Sequence, residues 1–345
     1  MRLIDRIIQC RAPFVVQSSI DANRTRLSGA MDAAADLERC PIRYVLDDSL
    51  TSLCTDLAYS NGVTVMACAD LIRVPAENIW VEWSNTPWLA ALSRNGMNAD
   101  STDDSPIGHC GMLIRSHHDG RSGVIRAFWS VGDSDFDVHA SAAQARFYLD
   151  AAASRTTQDS PGVLRVAAAD IDPQGILSRG FHFEFEDSWA KYYREATPHE
   201  SQRQEILQQS IGCVALAVPV LLAFFLLLMT RDGLPQRATQ LDRLNRARIA
   251  RGRVPLAEHI EVSAPLLPPY RESQIERASA GARRRHPRLH HVRGHLVRRN
   301  DRLIWRVPHL RGKSAAGVIK SRTVEWRFDA GSAQGRERSS RGSTP

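Results

Sequence analysis

The sequence predicts an α+β protein. A mixed sheet with helices forms the N-terminal domain, and a small basic β-rich module lies near the C-terminus. Apolar residues recur at helical spacing in the first 70 residues, and over residues 71–132 they change to the two-residue period of strands. An uncharged apolar run over residues 211–230 predicts a long apolar helix between the two parts. Helices and strands that alternate irregularly in this way are typical of the α+β class.

The N-terminal domain is predicted to span residues 1–210. Its segments with apolar residues at helical spacing are 3–8, 31–37 and 46–58. Its segments with strand character are 78–83, 111–115, 123–129 and 180–187. In the last of these, Phe181, Phe183 and Phe185 alternate with polar residues, which predicts a strand with one buried face. A polar helix is predicted to follow over residues 188–209.

The apolar run over residues 211–230 leaves two interpretations open. About 20 apolar residues are the minimum length that crosses a bilayer as a helix, and the arginines that follow would then face the cytoplasm. That orientation would place the upstream domain outside the cell, although the N-terminus has no secretory signal pattern. The other interpretation is a fully buried core helix, which removes this conflict.

The sign of the net charge changes at the end of the apolar run. Residues 231–345 contain 26 lysines and arginines against 10 carboxylates, a balance of +16; since the whole chain is +7, residues 1–230 sum to −9. All of the 45 basic residues are arginines except Lys191, Lys313 and Lys320. Arginine keeps its charge and binds phosphate through a bidentate fork. A polyanion is therefore expected to be attracted to the tail and repelled by the body.

The basic tail divides by composition into a basic helix and linker over 231–282, a β-rich module over 283–330 and a disordered tail over 331–345. Alternation in the module predicts two strands joined by a turn at residues 300–302. Three interpretations of the module stay open. It could bind nucleic acid through its arginines and an exposed Trp305, hold a metal on His291, His295 and His309, or form the solvated face of a small barrel. The residues predicted to bind nucleic acid are Arg243, Arg246, Arg293, Arg298, Arg299, Trp305 and Arg306.

Several phrases of the sequence resemble a family of uncharacterised phage and prophage proteins. Residues 244–256 are similar to the family's LNRARxxRGxxPL phrase, and residues 287–295 to its PRxHxxRGH phrase. Residues 305–312 and 73–83 also match phrases of that family, and all four occur in the same order. The resemblance implies an origin in a mobile element and no particular activity. Such proteins often carry an apolar stretch before the first basic phrase, which favours the buried helix.

No motif of the sequence points to catalysis, a cofactor or a metal. A phosphate-binding loop, a dinucleotide fingerprint and a GxSxG nucleophile motif are all missing. The six cysteines form no CxxC pair and are predicted to be reduced thiols. His182, Glu184 and Glu186 share one strand face, which is more typical of a solvated face than of a metal site.

The leading functional hypothesis is a phage- or prophage-encoded accessory protein of the host cytoplasm that binds nucleic acid through its arginine-rich module. The alternative is a single-span protein of the inner membrane, with arginines that face anionic lipid headgroups. No small-molecule substrate can be identified from the sequence.

Overall fold

The computed structural model of this protein describes most of the first 265 residues and five shorter stretches beyond them. The described ranges are 2–9, 14–16, 25–27, 29–60, 62, 65, 68–97, 107–131, 138–150, 180–197, 199–230, 233–265, 288–292, 294–299, 302–306, 309–311 and 313–318. The predicted disordered tail and the predicted site residue Arg293 lie outside these ranges.

The helices of the described ranges alternate with strands. They are α1 (Leu3–Gln9), α2 (Gly29–Arg39), α3 (Asp48–Ser60), α4 (Asn85–Arg94), α5 (Asp187–Ala196), α6 (Glu200–Leu228) and α7 (Asp242–Ala250), with a short 3-10 helix at Ala69–Leu71. The strands are β1 (Phe14–Val16), β2 (Thr25–Leu27), β3 (Ile42–Leu46), β4 (Asn78–Ser84), β5 (Ile107–Ser116), β6 (Ser122–Val131), β7 (Val138–Tyr148), β8 (Phe181–Phe185), β9 (Gln236–Ala238), β10 (Ile260–Val262), β11 (Arg288–Val292), β12 (His295–Arg299), β13 (Arg302–Arg306), β14 (His309–Arg311) and β15 (Lys313–Val318).

Eight of these strands form one mixed sheet in the order β8-β7-β6-β5-β4-β3-β10-β9. The neighbours β10, β3 and β4 run parallel, and the other neighbouring pairs are antiparallel. In the β10–β3 pair, Ile260 lies opposite Tyr44 and Val262 opposite Leu46. The segment that follows the apolar run therefore supplies two strands to the sheet of the acidic body.

The chain divides into two compact units. The first unit comprises residues 1–266 and 295–306, and it contains the eight-stranded sheet and the β12–β13 hairpin. The second unit comprises residues 267–294 and 307–345, and its described part is a three-stranded sheet in the order β14-β11-β15.

Helices α1 and α2 cover one face of the large sheet. Their apolar residues pack with Trp80, Leu113 and Phe128, which register and alternation place on the same face. The carboxylate of Glu82, which is fully buried, fixes the start of α1 because it accepts hydrogen bonds from the amides of Leu3 at 2.7 Å and Ile4 at 3.1 Å. The same carboxylate accepts a 3.1 Å bond from the indole of Trp80.

Helices α3, α4 and α6 lie on the opposite side, where α6 packs against α3 and β7. Tyr44 meets Phe224 of α6 edge to face, with ring centroids 5.4 Å apart. The hydroxyl of Tyr59 donates a 2.8 Å hydrogen bond to the carbonyl of Leu216. The apolar run is thus packed against the sheet body over most of its length.

The long apolar helix is bent, so a single straight helix is not confirmed. The arms Glu200–Gly212 and Val214–Leu228 meet at 42°. Gly212 ends the first arm, and glycine is a common site of helix bends. Pro219 lies within the second arm, beyond the bend. Among the described residues no single helix meets the length and hydropathy required of a membrane span, and the two arms meet them only as a pair.

The predicted α+β class is confirmed. Helices were correctly predicted at the sites of α1, α2 and α3, and strands at β4, β5, β6 and β8. The helix predicted over residues 188–209 is instead divided between α5 and α6. The strands β3, β7, β9 and β10 were not predicted.

Candidate nucleic-acid interface

Helix α7 stands in the connection between the edge strand β9 and its neighbour β10, and none of its residues is buried. The helix ends where Gly252 adopts a φ of 68°, a left-handed conformation that glycine reaches without strain. There the amide of Arg253 donates a 2.9 Å hydrogen bond to the carbonyl of Arg248. The chain then turns back along the helix.

Asn245 of α7 forms hydrogen bonds with the returning residues 253–256. Its side-chain amide donates a 3.0 Å hydrogen bond to the carbonyl of Leu256, and its side-chain oxygen accepts a 2.8 Å bond from the amide of the same residue. The guanidinium of Arg248 adds a 2.9 Å bond to the carbonyl of Val254. These bonds hold the helix and the returning segment in a fixed relation although neither is buried.

This element carries five arginines, named here the α7 arginines: Arg243, Arg246, Arg248, Arg251 and Arg253. Arg248 is half-buried and the other four are exposed. Within the part of the chain that the structure describes, no carboxylate lies within ion-pairing distance of any of them. Arg243 and Arg246 are three residues apart, a spacing at which like charges repel on a helix.

Apolar side chains lie between the α7 arginines. Leu244, Ile249 and Val254 are 49%, 59% and 40% exposed, and with Met229 they are the most exposed large apolar residues of the described ranges. The surface therefore combines fixed positive charge with apolar contact area, and it is turned away from the core.

The β12–β13 hairpin confirms the two strands predicted in the basic module. Its register pairs Leu296 with Trp305 and Arg299 with Arg302. One face carries Leu296, Leu303 and Trp305, all of which are buried. The other face carries the exposed His295 and three exposed arginines, named here the hairpin arginines: Arg299, Arg302 and Arg306.

The expectation that Trp305 is exposed is wrong. The side chain is only 7% exposed, because the two-residue period places it on the same face as Leu296 and Leu303. Arg298 shares that inner face and forms a 3.0 Å ion pair with Asp70. Arg298 is therefore occupied by an ion pair, and Trp305 offers no open ring for base stacking.

The other predicted site residues divide between the two surfaces. Arg243 and Arg246 lie on α7, whereas Arg299 and Arg306 lie on the outer face of the hairpin. Arg302 lies opposite Arg299, and was missed because it was assigned to the turn. Like charges placed directly opposite each other in a strand pair are unfavourable, and the described residues supply no carboxylate that offsets this repulsion.

Other charged groups considered in the sequence have structural partners. Arg146 binds Glu184, and Glu186 accepts a 3.2 Å hydrogen bond from the amide of Ser188 at the start of α5. Among the described residues, no group of three histidine, cysteine, aspartate or glutamate side chains is placed to hold a metal ion. The side chains of His291 and His309 lie outside what the structure describes.

Comparison with known proteins returned no match: no family model matches the chain. No curated protein matches it in sequence, and no solved structure matches its fold. A functional conclusion therefore depends on the geometry and charge of the residues described above.

Proposed function

We propose that this protein binds nucleic acid through the α7 arginines and the hairpin arginines. The observation that carries the proposal is the absence of carboxylate partners for these side chains among the described residues, on a helix that Asn245 holds in place. Exposed arginines with no carboxylate partner can bind phosphate oxygens and release the counterions of a nucleic acid. We propose that this role is accessory and belongs to the host cytoplasm, since the phrases shared with phage and prophage proteins imply an origin in a mobile element.

The mode of binding that this geometry favours is recognition of the phosphate backbone. Arginines fixed on a helix and on a hairpin can each contact phosphates, whereas Trp305 is buried and cannot stack on a base. The apolar side chains Leu244 and Ile249 add contact area beside the charges. We therefore expect strong dependence on salt and weak dependence on base sequence.

The test compares the full-length protein with the triple variant Arg243→Gln, Arg246→Gln, Arg251→Gln. Binding to a labelled DNA duplex, a DNA single strand and an RNA of the same length is measured by fluorescence anisotropy at several salt concentrations. The wild type should show a steep linear fall of log K with log salt. The triple variant should bind at least about tenfold more weakly, with a slope smaller by about 2–3, since each lost phosphate contact removes about 0.9.

The matched control is the triple variant Arg94→Gln, Arg146→Gln, Arg203→Gln. It removes the same three charges from arginines that are paired with Asp56, Glu184 and Glu200. The control should retain most of the affinity and the slope. Equal losses in both triple variants, or a flat salt dependence in the wild type, would contradict the proposal. If the protein floats with anionic vesicles and does not bind nucleic acid, the membrane-associated alternative is favoured.

A further inference from the structure

The charge of α7 and of the segment that follows it is almost entirely of one sign. Residues 243–257 contain the α7 arginines and no carboxylate. The acidic residue of the helix, Asp242, lies in its first turn, where it interacts favourably with the helix dipole. Beyond that turn, the element presents only positive charge to a ligand.

The residues of α7 divide into a side that faces the protein and a side that faces away from it. Half-buried residues mark the first side: Leu241 at the N-cap, Asn245 and Arg248. At 3.6 residues per turn, the opposite side carries four exposed residues: Arg243, Arg246, Ala247 and Ala250. Because the two alanines have small side chains, a ligand can approach the backbone of the helix closely beside the arginines.

The exposed apolar residues of α7 do not form one face. Leu244 and Ile249 are both exposed and are separated by about 140° around the helix axis. They lie on the two flanks of the side that carries Arg243 and Arg246. A helix that lies in a membrane surface needs a continuous apolar face to insert among the lipids. The arrangement on α7 therefore favours a nucleic acid over an anionic membrane.

The apolar side chains beside the α7 arginines are aliphatic. No aromatic side chain that the structure describes is exposed. Proteins that bind single strands combine a basic groove with aromatic rings on which the bases stack. The described surface lacks such rings, so it is better suited to a duplex, whose bases remain stacked on one another.

The dimensions of α7 match the major groove of B-form DNA. An α-helix with its side chains is about 10–12 Å across, and this groove is about 12 Å wide. The nine residues of α7 span about 13 Å along the helix axis. The major groove of an RNA duplex is deep and narrow, and side chains do not read it. The geometry therefore favours DNA over RNA.

The β12–β13 hairpin is a two-stranded ribbon, which is the other shape that this groove admits. The centre of its outer face is formed by the pair Val297 and Ile304, and both residues are half-buried. That face is only partly accessible at its centre, whereas the outward side of α7 is exposed along its whole length. Between the two elements, α7 is the one that can enter the groove.

We propose, on the basis of the nucleic-acid binding proposed above, that the ligand is double-stranded DNA and that α7 lies in its major groove. Arg243 and Arg246 contact the phosphates that border the groove. Ala247 and Ala250 allow the helix to approach the base edges. The hairpin arginines contact phosphates outside the groove.

The experiment measures binding of the full-length protein to four nucleic acids of one sequence by fluorescence anisotropy. They are a DNA duplex, the same duplex with glucosylated 5-hydroxymethylcytosine in place of cytosine, an RNA duplex and a DNA single strand. The glucose fills the major groove and leaves the phosphate charge unchanged. We expect the unmodified DNA duplex to bind at least about tenfold more tightly than each of the others. Equal affinity for the glucosylated duplex or for the RNA duplex would overturn the proposal.

A pair of competing ligands distinguishes the two grooves of DNA. Methyl green binds in the major groove and distamycin in the minor groove, and both are cations, so they reduce the phosphate charge in a similar way. On a duplex that contains an A·T tract, methyl green should displace the protein and distamycin should not. Displacement by distamycin alone would place the protein in the minor groove and overturn the proposal.

Two triple variants test whether α7 is the element in the groove. Each removes three exposed arginines: Arg243→Gln, Arg246→Gln, Arg251→Gln from α7, and Arg299→Gln, Arg302→Gln, Arg306→Gln from the hairpin. Binding is measured at low salt, where phosphate contacts are strongest. The α7 variant should bind the plain and the glucosylated duplex about equally. The hairpin variant should bind both more weakly and keep their ratio.

The outcomes separate this proposal from the proposed function. Loss of the ratio in the hairpin variant, with retention in the α7 variant, would place the hairpin in the groove and overturn the assignment to α7. A steep salt dependence with equal affinity for the plain and the glucosylated duplex would overturn this proposal and leave nucleic-acid binding standing. Absence of binding to all four nucleic acids would overturn both.

Discussion

Arginines in the sheet body and arginines on α7 occupy opposite environments. Arg126 of the body is 6% exposed, lies over the ring of Phe128 at 5.6 Å and approaches the Glu186 carboxylate at 3.8 Å. Arg243 of α7 is exposed and has no carboxylate partner in the described chain. The same side chain thus completes the packing of one region and is left available in the other.

In an arginine-rich chain, burial and pairing distinguish the arginines that stabilise the fold from those that are available to bind a ligand. A buried or paired charge offsets a cost within the fold, so its removal destabilises the protein. An exposed charge among like charges contributes little to stability or opposes it, so its removal affects a ligand far more than the fold. Three variants test whether buried groups determine the stability of the fold and exposed arginines determine binding.

The largest expected loss of stability follows from removal of Glu82, a buried carboxylate of the sheet body. Glu82→Ala removes the acceptor of three buried N–H donors, from Leu3, Ile4 and Trp80, and should lower the free energy of unfolding by about 3–5 kcal/mol. Chemical denaturation measures the loss. Glu200→Ala, which removes a 66% exposed partner of Arg203, is the control and should cost less than about 1 kcal/mol. Similar losses in the two variants would show that burial does not distinguish the charges.

A smaller and local effect is expected from Asn245→Ala. The variant loses both hydrogen bonds to Leu256, worth about 1–2 kcal/mol in total. Because α7 has no buried residue, hydrogen exchange at the Leu256 amide should accelerate while the global unfolding transition stays unchanged. Affinity for nucleic acid should fall as the α7 arginines lose their fixed arrangement. A drop in global stability equal to the local loss would mean that α7 belongs to the cooperative body.

The smallest expected effect is a pH-dependent change in melting temperature when Asp5 is replaced. Burial raises the pKa of Asp5, with the nearby Glu82 adding to the rise and His259 and Arg2 opposing it. The folded state therefore favours the protonated form, and ionisation of Asp5 costs stability as the pH rises through its folded-state pKa. Asp5→Asn, which can still accept the 2.8 Å bond from Ala257, should melt at a higher temperature than wild type at neutral pH.

This advantage should disappear at acid pH, below the ordinary pKa range of aspartate, where the wild-type carboxyl is protonated in both states. The α7 arginines do not titrate in this range, so nucleic-acid affinity should not follow the same pH profile. An Asp5→Asn variant that is less stable than wild type at every pH would contradict this account of the buried carboxylate.

The spacing of apolar residues correctly predicted several helices and strands of the sheet body. The alternating phenylalanines gave β8, and the spacing of Leu3, Ile4 and Ile7 gave α1. The strand β7 was missed because its alanine-rich sequence has weak strand preference, although almost all of it is buried. The three-residue strand β10 owes its conformation to pairing with β3, and no local pattern can indicate a partner so distant in the chain.

The candidate interface was only partly predictable for a related reason. Sequence shows that arginines are abundant, but pairing with carboxylates is decided by the fold. Arg298 is paired with Asp70, whereas Arg299 has no carboxylate partner within the described ranges. The burial of Trp305 could have been inferred, since its two-residue period aligns it with Leu303. A crevice at the carboxyl ends of β3, β4 and β10 draws its walls from six separate segments of the chain, so no motif of the sequence marks it.

The parallel pairing of β10 with β3 has a consequence during synthesis. At about 5–20 residues per second, the ribosome needs roughly 10–40 s to extend the chain from β3 to β10. Throughout that interval the nascent sheet presents β3 as an unpaired edge, and such edges recruit strands from other chains. Chains that terminate before Ile260 would keep this edge permanently. Once it has been synthesised, the small strand β10 covers this edge in addition to completing the sheet.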